Sequence, residues 1–493
     1  MKEFIISSQM LIPLLLTGIA PILIVLFRKD PNKREAVSFA VAILTFISVI
    51  SMVPPVLKNK VLIFKLSELL PGISFKFAVD GMSLLFAIVS SFLWIFATSY
   101  NIGYMRSLKE HAQTRFFACF AFAIFGALGL AFSGNIFTMY FFYEIITIAT
   151  FPLVGHEQTE TALEGAKKYL IYLMGTSKLF LLPAMILTYV YAGTLDFNLM
   201  DITRGIFPTT TPHWVVVLTY ALYIAGIAKA AIMPLHNWLP SAMVAPTPVS
   251  ALLHAVAVVK AGVFSIARVV LCVMGVDLMR RLHLDIPTAY LASFTIIFAS
   301  IIALTKDDLK ARIAYSTISQ LSYIILGVVL LAPAAIQGGL FHIAAHAFSK
   351  ITLFFAAGAI YVAAHLKKVS QISGVGRKMP ITFGMFGLAT LSMIGLPPAV
   401  GFVSKWYLIE GALNVHQTIF MVILLISALL NAAYFVPIVY KGFFEKPKPD
   451  VDISHIKEAP LTMVVPLSVT AILSLLLGIY PYFFFHLIQT LWR

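Results

Sequence analysis

The chain has 493 residues, of which 60% are hydrophobic and 11% charged. Soluble domains carry about 45–50% apolar and about 25% charged residues, so the composition excludes a soluble domain, a disordered chain and a coiled coil. The formal net charge is +14, and the two cysteines, Cys119 and Cys272, stand apart in apolar stretches with no CxxC or Cys/His cluster, which argues against iron–sulfur or structural zinc sites made by this chain alone.

A spanning helix needs about 20 mostly apolar residues. Fourteen stretches qualify, at 4–27, 37–57, 78–100, 116–133, 135–154, 166–192, 214–233, 249–274, 287–305, 309–331, 338–365, 380–396, 416–443 and 461–489. The first is too long for a signal-peptide core and lacks an A-x-A site, so it reads as a span. The seventh runs into Met233-Pro234, with Pro240, Pro246 and Pro248 beyond. The twelfth runs into Gly395-Leu396-Pro397-Pro398 and stays apolar to Leu413. Both predict discontinuous helices, broken at Pro234 and at Pro397 and Pro398. The fold class expected is an all-α polytopic membrane protein.

Basic residues set the orientation. Loops after the odd-numbered spans hold twenty, among them Arg28, Arg106, Lys168, Arg312 and Lys367, against nine on the side of the two termini. Both termini are therefore expected outside, and the positive charge needs no nucleic acid. Ser177-Lys178 in the sixth span and Ser349-Lys350 in the eleventh each precede a bulky apolar run, and each is followed by a span broken at proline. The period of five inverts the second copy, as in secondary transporters. The units expected are 1–115, a first repeat at 116–274, an inverted repeat at 275–443, and 444–493.

Six cations lie inside spans: Lys178, Lys229, Lys260, Arg268, Lys350 and Lys405. Arg268 is near a span end and reads as snorkelling to the interface. A lysine at the bilayer centre costs about 2.5–3.5 kcal/mol, so five need a reason. Lysine is the basic residue that yields its proton on burial, which points to proton transfer. Glu144 is the only acid in the middle of a span, with a protonated structural carboxyl as its plain reading. Asp80 reads as a helix-start residue. His342, His346 and Lys350 recur at i, i+4 and i+8, a titratable ladder along about 12 Å of axis. Two histidines one turn apart cannot ligate one haem from opposite sides. His254 and Lys260 fall about 120° apart around a helix.

The run from His236-Asn237-Trp238-Leu239-Pro240 through Pro246-Thr247-Pro248 to His254, then Lys260-Ala261-Gly262, resembles the signature of the antiporter-like membrane subunits. These are shared by respiratory complex I, Mrp-type Na⁺/H⁺ antiporters, and membrane-bound hydrogenases and related complexes. Phe341–Lys350 and Gly395–Lys405 resemble the family's two later motifs, and the resemblance covers about the third to thirteenth spans. It implies two inverted five-helix bundles around a hydrophilic mid-membrane axis. On that axis Glu144 would pair with Lys229, His254 and Lys260 would relay, and His342, His346 and Lys350 would form the central ladder. Lys405 would be the terminal group, with Lys178 accessory. Lysine at 405 makes the chain look like the Mrp D, complex I or hydrogenase H-type subunits. The resemblance implies movement of protons, with Na⁺ as an alternative ion, driven by redox chemistry or an ion gradient in partner subunits. Expected partners are other antiporter-like and small Mrp-type membrane subunits and, in some complexes, a peripheral iron–sulfur module. No cofactor, metal or redox site is expected in this chain, and the cytoplasmic membrane is its expected location. The competing reading is a quinone- or haem-binding anchor that moves no ions, which the lysine series opposes.

Overall fold

The structure, a computed structural model, describes residues 2–251, 257–449 and 452–492. In chain order the elements are β1 (Glu3–Ile6), α1 (Leu11–Leu26), α2 (Pro31–Leu57), β2 (Lys60–Leu70), β3 (Ile73–Val79), α3 (Gly81–Ser107), α4 (Gln113–Ala131), α5 (Ile136–Val154), α6 (Glu160–Ala192) and α7 (His213–Gly226). There follow α8 (Val258–Arg268), α9 (Asp285–Thr305), α10 (Leu309–Val329), α11 (Pro333–Ala364), α12 (Pro380–Ile394), α13 (Val400–Asn414), α14 (Thr418–Phe444), α15 (Leu461–Ile479) and α16 (Tyr482–Gln489). Among the described residues ten of these helices are long and apolar enough to span a membrane, and α1, α7 and α12 are shorter apolar helices. With α8 they occupy the fourteen expected stretches. The chain is an integral multi-pass membrane protein.

Side-chain caps fix several helix starts. Asp30 accepts from Asn32 N and Lys33 N at 3.1 and 3.2 Å just ahead of Pro31. Asp80, Asn135 and Asp308 each accept from the amide three residues on, at 2.8–2.9 Å. Each such oxygen satisfies a helix-start N–H that has no partner within the helix.

The first span begins later than expected, because residues 3–6 pair as β1 with β2 and the helix starts at Leu11. The sheet has order β1-β2-β3, parallel then antiparallel. Its hairpin is legible in retrospect: after Pro71-Gly72, Ile73, Phe75, Phe77 and Val79 alternate with Ser74, Lys76 and Ala78, and Gly72 takes φ +74°. A search for long apolar runs passes over it.

Contacts between loops sort into two faces. On one, Lys2 Nζ donates to Leu199 O (2.8 Å) and to Leu491 O (3.0 Å), and Lys76 pairs with Asp196 at 2.6 Å. That face gathers both chain ends and the loop after α6. On the other, Arg106 bonds Glu35, Ser370 bonds Asp307 and Ser373 bonds Glu445. The basic loops belong to this second face.

The two broken spans differ in detail from expectation. α7 stops at Gly226, well short of Pro234, and Lys229 lies in a single 3₁₀ turn, Ala228–Ala230. Trp238 Nε1 donates to Ala228 O at 2.9 Å and closes this segment. A Cβ at Gly262 would stand 2.2 Å from Ala230 N, so α8 can lie against the unwound backbone only as glycine. At the second break α12 ends at Ile394, and α13 begins at Val400. There a Cβ at Gly401 would stand 1.8 Å from Ser392 O.

Candidate functional site

In the first repeat the site is built on α5, α6 and the unwound turn after α7. Tyr143 and Thr147 are one helical turn apart and share a face of α5. Lys229 Nζ sits on that face, donating to Tyr143 O at 2.9 Å and Thr147 Oγ1 at 2.6 Å, 3.3 Å from the Tyr143 ring centroid. Its backbone N–H donates to Tyr143 OH at 3.1 Å, which replaces a helical bond where the chain unwinds. Glu144 is turned about 100° from Tyr143 and cannot share this contact. Its carboxylate faces Lys178 instead, with Oε2 3.6 Å from Lys178 Nζ.

The direct Glu144–Lys229 pair expected from the resemblance is thus absent, although Glu144 stays within electrostatic reach of Lys229. Lys178, expected as accessory, is the partner of Glu144. It also donates to Tyr140 OH at 2.7 Å. Lys178 lies in a π-helical turn, Ser177–Leu181, inside α6. Such bulges recur at functional sites because the extra residue re-aims a side chain. Neither carboxylate oxygen of Glu144 has a hydrogen bond, though the residue is 8% exposed.

The centre joins the two repeats. Lys260 Nζ on α8 lies 2.6 Å from His346 Nδ1 on α11, both buried. Nε2 of His346 has no hydrogen-bond partner. One turn away, His342 Nδ1 lies 2.8 Å from Ser404 Oγ on α13, and its Nε2 lies 3.0 Å from Gln320 Oε1 on α10. The two imidazole centroids are 6.0 Å apart. Lys350 donates to Ser316 Oγ on α10 and stands over Phe435. From His342 to Lys350 the ladder therefore meets α13 and α10, then α8, then α10 again. His254 lies outside the described residues.

Ser404 is followed directly by Lys405, which is 6% exposed. Lys405 Nζ donates to Met393 O at 2.7 Å and Ile394 O at 2.9 Å. These are carbonyls at the end of α12, which have no partner within that helix. The break at Pro397 and Pro398 thus supplies the acceptors that hold the last lysine.

Arg268 corrects the sequence reading. It is fully buried, with Nη1 2.7 Å from Asp80 Oδ2, and Nη2 2.6 Å from Oδ1 and 2.8 Å from Ser83 Oγ. Asp80 caps α3 as expected, and its other face takes this fork. The partner lies 188 residues away, beyond any local pattern. Sequence reasoning also missed Thr147, Ser316, Gln320 and Ser404, which hold the lysines and histidines, and Asn431, which accepts from Gln320. Ser316 and Gln320 recur at i, i+4 on α10, a polar stripe that could have been noticed.

Many membrane crossings around two broken helices, with lysines and histidines buried between them, define an ion-transporter type of membrane protein. Residues 133–431 match the family described as NADH:quinone oxidoreductase/Mrp antiporter, TM, and the chain belongs to that family. It is 32% identical over 422 residues to NADH-quinone oxidoreductase subunit N of Desulforudis audaxviator, covering 83% of each chain. Its fold resembles a chain of the Mrp complex from a Dietzia species, with TM-score 0.86, 20% identity, and 98% and 96% of the two chains covered. It also resembles a chain of an archaeal membrane-bound sulfane sulfur reductase, with TM-score 0.85, 24% identity and the same coverage. The protein is an antiporter-like subunit of the family shared by Mrp and complex I-like membrane complexes.

Proposed function

We propose that this subunit moves protons along an axis from Glu144 and the half-exposed Lys178 through the buried Lys229, Lys260, His346, His342 and Lys405, with Lys350 as a side branch. His254, six residues before Lys260 in the sequence motif, belongs to the same relay. The observation that carries the reading is the 2.6 Å contact between Lys260 Nζ and His346 Nδ1, where an acid and a base from opposite repeats meet inside the protein. Transfer there breaks an N–H bond of the ammonium and forms one at Nδ1. The proton at Nε2, which has no partner of its own, can then leave toward His342. Ser404 ties His342 to the segment bearing Lys405, and the carbonyls at the break stabilise the charge that arrives there. Burial disfavours a charged lysine and a nearby carboxylate favours it, so a change at Glu144 alters the proton affinity of its neighbours.

The drive for that change is redox chemistry or an ion gradient in partner subunits, including a peripheral iron–sulfur module where the complex has one. By the positive-inside rule the basic-loop face is cytoplasmic and both termini lie outside the cytoplasmic membrane. The test is His346→Gln in the purified complex in proteoliposomes, with interior pH followed by a trapped dye. Glutamine keeps an amide for hydrogen bonding but does not titrate. Proton flux should fall at least tenfold in an assembled complex, and unchanged flux would reject the axis.

A further inference from the structure

A separate cluster lies on the basic-loop face. Glu110 and His111 sit in the connection between α3 and α4, and His156 lies two residues beyond the end of α5. Glu110 Oε2 is 3.9 Å from both His111 Nδ1 and His156 Nε2. One donor atom from each residue lies within 4.8 Å of the other two, and the imidazoles stack with centroids 4.7 Å apart. His156 is fully buried, yet neither ring nitrogen makes a hydrogen bond. A buried imidazole without partners leaves a desolvation cost unanswered, and such a group calls for an explanation.

We propose that Glu110, His111 and His156 form a binding site for a divalent transition metal of the Zn²⁺ class. Two imidazoles and one carboxylate suit zinc, whose ligand bonds of about 2.0–2.2 Å place tetrahedral ligand atoms about 3.4 Å apart. Two of the observed separations, at 3.9 Å, need to close by only about half an ångström. The His111 side chain is 48% exposed and that of Glu110 is 19% exposed, so an ion has a route in and water can take the fourth position. Arg115 bonds His156 O at 3.0 Å, which fixes the loop. Its positive charge lies within electrostatic reach of His156, and a second carboxylate, Glu157, within that of Glu110. No Cys/His pattern announces the set in the sequence, because two ligands come from one loop and the third from another 45 residues on. A bound ion would tie the α3–α4 connection to α5, the helix that carries Glu144.

The test is zinc titration of the intact complex after chelator treatment, with bound zinc measured by mass spectrometry and Co²⁺ used for its tetrahedral absorption bands. The wild type should hold one more tightly bound zinc per copy of this chain than His111→Gln or Glu110→Gln. Those variants alter accessible side chains, so assembly is retained, and their affinity should fall at least about tenfold, the lower end of what lost outer-shell support alone costs. His156→Gln should abolish binding at this site. Equal zinc in the wild type and in both accessible-residue variants, or no Co²⁺ band assignable to the site, would overturn the proposal.

Discussion

Arg268→Met removes one half of a buried ion pair. Arg268 is fully buried and Asp80 is 3% exposed, and the guanidinium makes three contacts of 2.6–2.8 Å to Asp80 and Ser83. Without it the carboxylate keeps the Ser83 amide at 2.9 Å as its one hydrogen bond. Breaking a buried pair on one side costs about 3–5 kcal/mol, mostly from the charge left behind, whereas apolar replacement of both partners is often neutral. The folded-to-unfolded ratio should therefore fall by two to nearly four orders of magnitude. Asp80→Asn combined with Arg268→Met removes the stranded charge and keeps a side-chain oxygen for the Ser83 amide, so it should recover most of the loss. Equilibrium unfolding in mixed SDS–detergent micelles measures both. A single variant that costs under about 1 kcal/mol would mark the pair as no stronger than a surface contact. A double variant as unstable as the single one would refute the stranded-charge argument.

Lys178→Met should impair proton flux as much as Glu144→Gln does, and the double variant should lose little more, since members of one contact are non-additive; additive losses in proteoliposomes would separate the two. Lys405→Arg should assemble but transport at least tenfold less, because arginine keeps a charge at the carbonyls without releasing a proton; dye-monitored flux checks it. Single cysteines placed at Arg204 and Lys367 should react with an impermeant reagent from opposite sides of sealed vesicles, and labelling from one side would overturn the alternation of crossings.

Membrane insertion leaves long apolar runs, so the crossings were legible from residue counts. Ser177-Lys178 and Ser349-Lys350 both fall within long helices, α6 and α11, as the recurrence of one short motif predicts. The lysines and central histidines stood out because charge inside an apolar run has no compositional camouflage. What did not show was how those groups pair. Lys229 sits on the Tyr143/Thr147 face because its turn unwinds at Gly226, and nothing near Pro234 announces a break that early. Glu144 meets Lys178 because a π-helical turn re-aims the lysine, and amino-acid pattern does not encode that extra residue. Arg268 lay close enough to an expected span end to read as snorkelling, since its partner is remote in sequence. The β2–β3 hairpin was hidden for the opposite reason: its alternation is local, but it lies between runs that hydropathy makes conspicuous.

Lys260→Arg puts the central claim to its most direct test. Arginine preserves the positive charge beside His346 and can still donate to Nδ1, but it cannot be deprotonated in a protein. A group that only holds the two repeats together would tolerate the exchange, whereas a relay group would not. Proton movement in proteoliposomes of the intact complex, normalised to assembled protein, should fall to the leak level of empty liposomes. Wild-type flux through the arginine variant would contradict a pathway that runs from Lys260 to His346.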